Sequence, residues 1–328
     1  VYNTGKLINQ DRTSQRVILK DISVALGGGG IRGIAHIGVL RALEKQGFRI
    51  KAITGTSAGG LVGAVYACGF SPDEIEEILA SVNQSRFFTL AIDSSPALLS
   101  LEGLAGMLST FIGDRTFDSL KIPFACTAVD LDSAQEIVID SGRVMDAALA
   151  TAAFPGVFPP MKLGHFNLVD GGVLDPVPVA LARWLAPELP VIAVCLSPEP
   201  EKWGKLPPFA VLSSVPLPHK LIEQVSRLKL TQTIQVFTRS MDVISRSLTE
   251  LRLQIDQPEV IIRPDVAEFG LLDSVKPKTL IEIGEQAVQE NLTAIKSNLT
   301  WSGRFFRKFR HPVPPGVPIS NEQKGIKH

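Results

Sequence analysis

Residues 24–44 read VALGGGGIRGIAHIGVLRALE. The apolar run Ile22–Leu26 has the look of a buried strand, and four glycines interrupt it. Beyond them Ile34, Ile37, Val39, Leu40 and Leu43 recur at helical spacing, which predicts a helix from Ile31 to Gln46 closed by Gly47. Working outward, Phe48–Thr54 is a second strand, then comes GTSAG at 55–59, then a second helix to about Ala67. Strand–helix–strand–helix alternation implies a parallel sheet with right-handed crossovers, an α/β fold.

Gly28, Gly30 and Gly33 match G-x-G-x-x-G, the spacing of a loop that cradles a dinucleotide pyrophosphate. That use also needs an acidic residue at the end of the second strand to bind the ribose. Here the second strand ends in KAITGTSAGG, with no Asp or Glu. No G-K-[ST] follows the glycines either, so a P-loop is excluded.

Gly55-Thr56-Ser57-Ala58-Gly59 fits the second strand better. G-x-S-x-G between a strand and a helix is the context of a nucleophile elbow, where flanking residues must be small and the serine hydroxyl is held out at a helix N-terminus. Acyl transfer through serine builds a negative oxygen, and preorganised N–H donors stabilise it. Glycines let backbone N–H groups converge without obstruction. Gly28, Gly29 and Gly30 therefore read as an oxyanion hole beside the positive end of the helix expected from Ile31. Two readings of Arg32 stand: it fixes or reinforces this loop, or it is a solvated helix residue.

A serine nucleophile needs a base. His36 falls inside the first helix, His165 in a turn, and His219, His311 and His328 in Pro-rich or tail segments, so a Ser-His-Asp triad is poorly supported. Asp170 is the other candidate. FNLVDGG places it at the end of a strand, with Gly171 and Gly172 opening the turn. A carboxylate near Ser57 takes the proton directly if its surroundings raise its pKa. The plain alternative for Asp-Gly-Gly alone is an ordinary turn.

Taken in order, GGGGIRG, GTSAG and DGG, with AHIGVLRALEKQG after the first and ATAAFPGVFPPMKLGHFNLVDGGVLDPVPV around the last, resemble the patatin-like phospholipases. They resemble in particular the bacterial branch, which is itself similar to the catalytic domain of neuropathy target esterase. The resemblance covers roughly residues 20–290. It implies a three-layer α/β/α sandwich with a mostly parallel central sheet. It implies a Ser57–Asp170 dyad, with Gly28, Gly29, Gly30 and Arg32 in the oxyanion segment and neither histidine nor metal nor cofactor in the chemistry. The implied reaction is hydrolysis of a lipid carboxylic ester, phospholipid or lysophospholipid, through an acyl-enzyme. Acyl transfer to an acceptor other than water and a non-catalytic adaptor role are the alternatives. The sequence departs from the pattern at Pro176, where many members carry Asn.

The remaining chain bounds the setting. Its 328 residues, 45% apolar and 20% charged, allow a sizeable core. Lys plus Arg equals Asp plus Glu, 33 each, so no global field favours nucleic acid or an anionic membrane. Cys68, Cys126 and Cys195 are scattered among apolar residues, as expected of buried reduced thiols. No run reaches the ~18 apolar residues of a membrane span, and the N-terminal residues lack the pattern of a signal peptide; a cytoplasmic location is expected. The expected organisation is a polar lead-in at 1–16 and a hydrolase domain at 17–298, with a Pro-rich insertion near 198–220. A basic-aromatic and then Pro-rich tail follows at 299–328. Residues 86–112 suit either a mobile cover over the site or ordinary core helices. WSGRFFRKFR in the tail suits either peripheral contact with a membrane surface or a disordered end.

Overall fold

A computed structural model describes residues 20–81, 99–205, 229–270, 273, 275–298 and 312–320. Strand β1 (Lys20–Leu26) leads through the glycines and a short 3₁₀ turn (Gly30–Ile34) into helix α1 (Ala35–Lys45). Then come β2 (Phe48–Gly55), α2 (Ala58–Ala67), α3 (Pro72–Ser81) and α4 (Leu101–Ser109). Next are β3 (Phe124–Asp130), β4 (Glu136–Ile139), α5 (Val144–Thr151), β5 (Met161–Leu163) and β6 (Phe166–Asp170). The chain continues with α6 (Val179–Leu185), β7 (Val191–Val194), α7 (Lys229–Asp256), β8 (Val260–Ile262), α8 (Pro277–Asn298) and β9 (Val317–Pro318).

Five strands, in the order β3-β2-β1-β7-β8, are parallel. β4 and β6 pair antiparallel with β3, β5 forms a hairpin with β6, and β9 adds to β4. The sheet is covered on both faces, which is why its central strands read as nearly continuous apolar runs. Val24, Leu26, Ile192 and Val194 point into a large core with α1, α2, α5 and α8. Their neighbours Ala25, Val191, Ala193 and Cys195 point the other way, against Val179 and Ala182 of α6 and Leu253 of α7. The period-2 alternation of a strand thus builds three layers from one sheet, the architecture expected from the resemblance.

Local signals set several boundaries. Ser71 and Glu74 form a capping box at the start of α3: the Ser71 N–H and hydroxyl donate to Glu74 Oε2 at 2.7 and 2.8 Å, and the Glu74 N–H returns a bond to Ser71 Oγ at 3.3 Å. The turn after β3 closes on Asp130, whose Oδ2 accepts from the Ser133 N–H and hydroxyl at 2.9 and 2.6 Å. All three cysteines are buried and free.

The structure differs from the sequence expectations in four places. The first α-helix begins at Ala35 rather than Ile31, because the chain leaves the glycines through a 3₁₀ turn. β6 runs antiparallel to β3, not with the parallel strands. α6, β5 and β9 lack the length to show a period. Val317–Pro318, in the tail, pairs with β4, and Ser320 donates to the carboxylate of Asp140 through its N–H (3.1 Å) and hydroxyl (2.6 Å). The lead-in at 1–16, residues 86–98 of the cover segment, residues 206–220 of the Pro-rich stretch and the basic-aromatic segment 301–310 lie outside the described residues. Residues 99–112 of the cover segment pack as α4 and its exit, with Leu104, Leu108 and Phe111 buried. No helix among the described residues is long and apolar enough to cross a membrane.

Candidate active site

β2 leads directly into the elbow. The Thr56 N–H donates to the Leu26 carbonyl at 3.0 Å, one step beyond the β1–β2 ladder. Ser57 then adopts φ 54°, ψ −125°, and Ala58 opens α2. A non-glycine residue held in so sparsely populated a region stores roughly 1–3 kcal/mol and persists only where its neighbours determine it. Here they do. The Ser57 N–H donates to Thr151 Oγ1 at 3.0 Å, and the Ser57 carbonyl accepts from Leu61 at 3.0 Å. Thr56 Oγ1 donates to the Asp175 carbonyl at 2.8 Å, so Thr127, 3.0 Å away, is the donor in the Thr56–Thr127 hydroxyl pair. The turn drives α2 against β1. A Cβ on Gly59 would stand 2.2 Å from the Leu26 carbonyl oxygen, and one on Gly55 2.4 Å from the backbone of Gly59. Steric necessity thus accounts for both glycines of G-x-S-x-G.

Asp170 reaches the same place from the opposite direction. The Ile53 N–H donates to the Pro123 carbonyl, and the Leu131 N–H to the Asn167 carbonyl. Backbone groups of odd-numbered residues in β3 therefore serve both β2 and β6, while Asp130 N–H turns the other way to Gln135 beside β4. β2 ends with Gly55 opposite Cys126, and β6 ends with Asp170 opposite Ala128. The two strands run head-on along one edge of β3 and stop on either side of Thr127. Gly171 lies directly on that residue: a Cβ there would be 2.5 Å from the Thr127 carbonyl oxygen.

The Asp170 side chain is 1% exposed. Its Oδ1 accepts from the Gly172 N–H at 2.7 Å, and its Oδ2 is buried with no protein hydrogen-bond partner. Burial raises its pKa to about 6, against the lowering influence of the Ser57 hydroxyl and the Gly172 N–H. The serine is thus close enough to be felt electrostatically, while no fully formed hydrogen bond joins the pair at rest.

The glycine loop divides its work. The Gly28 N–H donates to the Pro176 carbonyl at 3.0 Å, so Gly28 lies in the segment without offering a free donor, a correction to its reading as part of the hole. Among the described residues the N–H groups of Gly29 and Gly30 have no acceptor, nor does that of Ala58, which follows the serine at the start of α2. Ala58 escaped the sequence reading, although the residue after an elbow serine supplies a donor in such sites. Arg32 is 7% exposed, and its Nε donates to the Phe269 carbonyl at 2.6 Å, which excludes the solvated reading. Burial lowers its pKa, opposed by nearby Asp242.

Neither described histidine faces the serine. His36 is fully buried and donates from Nε2 to the Gly27 carbonyl at 2.8 Å. Burial holds its pKa down at about 4, so it is a neutral brace of the glycine loop. His165 is exposed in the β5–β6 turn.

Behind the elbow sits a buried charge cluster with no sequence signal. Asp175, fully buried, lies 3.1 Å from Nη2 of Arg252 on α7, and the same Nη2 donates to Glu136 at 3.0 Å. Burial and the neighbouring Glu136 carboxylate push Asp175 well above the usual range for an aspartate. Arg252 thereby ties α7 to the 175–178 segment, whose carbonyls hold Thr54, Thr56 and Gly28. Among the described residues no group of three or more His, Cys, Asp or Glu side chains is placed to hold a metal ion.

Gly29, Gly30, Arg32, Ser57 and Asp170 all line one cavity of about 240 Å³. Most of its remaining wall is aliphatic or aromatic, from α1, α2, α3, α4 and the loop 152–158, while α7 adds Met241, Asp242, Ser245 and Thr249. A serine at positive φ, a buried carboxylate and backbone N–H groups with no acceptor among the described residues thus share one largely apolar cavity.

Residues 24–183, just under half of the chain, match the model of the patatin-like phospholipase family. An uncharacterized NTE family protein of Mycobacterium tuberculosis is 35% identical over 178 residues, 54% of this chain and 49% of that one. Lysophospholipase NTE1 of Coccidioides immitis is 26% identical over 317 residues, 90% of this chain and 19% of that one. The chain thus spans about half the length of the first of these relatives and less of the second. VipD from Legionella pneumophila is a distant structural likeness, with TM-score 0.46 and 12% identity over 85% of this chain and 67% of that one.

Proposed function

We propose that this protein hydrolyses carboxylic esters of lipids through an acyl-enzyme on Ser57, with Asp170 as general base. The observation that carries the proposal is the meeting of Ser57, at φ 54°, with a buried Asp170 of raised pKa on one apolar cavity. Asp170 takes the hydroxyl proton as Ser57 Oγ attacks the ester carbonyl. The oxyanion forms against the N–H groups of Gly29, Gly30 and Ala58, with Arg32 holding the loop. The alcohol then leaves with a proton returned by Asp170, and water repeats the sequence to release the acid. The apolar lining supports a lipid acyl group as substrate, and the name of the fungal relative points to lysophospholipid.

A base of pKa about 6 sets a pH dependence. The free enzyme is active when Asp170 is ionised, so kcat/KM rises tenfold per pH unit below about 6 and levels above it. A pH profile on a p-nitrophenyl ester reads this directly, and a limb inflecting near 4 or near 8 removes Asp170 as the base.

The proposal extends to peripheral contact with a lipid surface. Val236, Phe237, Val243, Ile244, Leu251 and Ile255 are exposed on α7, and at 100° per residue they fall within about a third of its circumference. The other side of α7 supplies Asp242, Ser245 and Thr249 to the cavity. Flotation with phosphatidylcholine vesicles tests the contact: wild type floats, and the double variant Val243→Asp, Ile244→Asp floats several-fold less. Equal flotation of the two refutes it.

A further inference from the structure

The residues that line the cavity around Ser57 fall into two groups of different chemistry. On α7 and past the end of β7 the lining mixes the polar Ser197, Asp242, Ser245 and Thr249 with Cys195, Leu196 and Met241. Along α2 and the neighbouring helices the lining side chains, here termed the apolar arm, are all apolar: Leu61, Val62 and Val65 of α2, Ile75 of α3, and Leu108 and Phe111 of α4 and its exit. Nothing among those residues can pair with a head group or an alcohol, and burying such a group unpaired is costly.

The lining residues bound the reach of this apolar arm. α2 starts beside Ser57, so Val65, eight residues on, lies about 12 Å away along the helix. No later residue of α2 lines the cavity. Opposite, Phe111 is 1% exposed, and its ring meets that of Phe70 edge to face at 5.5 Å. Phe70, in contact with Phe111, does not itself line the cavity.

We infer that the α2–α3–α4 arm is an acyl-chain subsite closed by Val65 and Phe111, which favours chains of medium length, about ten carbons. The inference rests on the ester-hydrolase reading and adds direction and length to it. The acyl chain lies along α2, and the alcohol leaves toward α7, where polar side chains receive it. Each methylene buried in the arm raises kcat/KM about fourfold until the chain meets Val65 and Phe111.

The test is the chain-length profile of kcat/KM on p-nitrophenyl esters from four to sixteen carbons. Wild type climbs to a maximum near ten carbons and then falls. Val65→Phe moves the maximum several carbons shorter, and Phe111→Ala, which opens the space in front of Phe70, moves it longer. Val65→Leu, a milder change inside a packed wall, moves it shorter by a smaller step. It keeps the test decisive if thermal melts show the bulkier variants unfolded. A profile unmoved by Val65→Leu in folded protein overturns the subsite, as does a maximum that shifts with Met241→Phe on α7. Turnover with no length preference also overturns the subsite and leaves the hydrolase reading intact. No turnover at any length overturns both.

Discussion

Ser57→Ala is expected to lower turnover of a p-nitrophenyl ester by about 10⁴-fold or more, since loss of a covalent nucleophile removes the acyl-enzyme route altogether. The same change should abolish labelling by a fluorophosphonate probe, which modifies only an activated serine. Alanine fits the space and makes the same backbone bonds: the N–H to Thr151 and the carbonyl from Leu61 involve no side-chain atom of Ser57. The melting temperature should therefore stay within a few degrees. A variant that keeps full activity while folded would refute the assignment of Ser57. A variant that loses both fold and activity would point to the elbow's strain, and Ser57→Gly then separates the two. Glycine relieves the positive φ, so it should be inactive yet no less stable.

The second large effect concerns Asp170, and it has opposite signs in activity and stability. Asp170→Asn should lower turnover by about 10³-fold or more, because the amide cannot accept the serine proton. Its Oδ1 still accepts from the Gly172 N–H, so the loop is retained. The native carboxyl has a pKa raised from 3.8 to about 6. The folded protein thus holds a proton that the unfolded chain releases between those values. Its contribution to stability is most favourable below pH 3.8, declines as pH rises to 6, and stays lower above that. A shift of about two units corresponds to roughly 3 kcal/mol at order-of-magnitude precision. Asparagine removes this cost, so Asp170→Asn should be more stable than wild type at pH 8 and indistinguishable from it near pH 3.5. Denaturant melts at the two pH values check the prediction. Equal destabilisation at both would mean that Asp170 serves only as a structural brace.

Much of this site was legible because its demands are local. An elbow needs small residues on both sides of the serine, and Gly55, Ser57 and Gly59 announce it in five letters. The close approach of Gly59 to the Leu26 carbonyl shows why no larger residue would serve there. Asp170 was legible as a candidate through the two glycines after it, one of which lies against Thr127. Gly28 was misread, because spacing reports that a glycine is present and not where its N–H points. That N–H is bound by Pro176, almost 150 positions away in sequence. Thr151, Asp175 and Arg252 had no signal, since each acts through a partner brought near by folding alone. β5, of three residues, and β9, of two, are too short for any periodicity.

From the sequence alone came the alternation of strand and helix, the turn that carries Ser57, and Ser57 and Asp170 as the candidates for the chemistry. These follow from short-range sterics and from the burial of alternate side chains, both written in neighbouring letters. Only the tertiary structure decided how Asp170 reaches the serine. The sequence suggested parallel strand ends, whereas β6 runs against β3 and meets β2 head-on at Thr127. It also decided which amides are free, which carboxyl loses its water and rises to about pKa 6, and which helices wall the cavity. Those properties depend on what lies within a few ångströms in space, and distance in space is set by the packing of the whole chain.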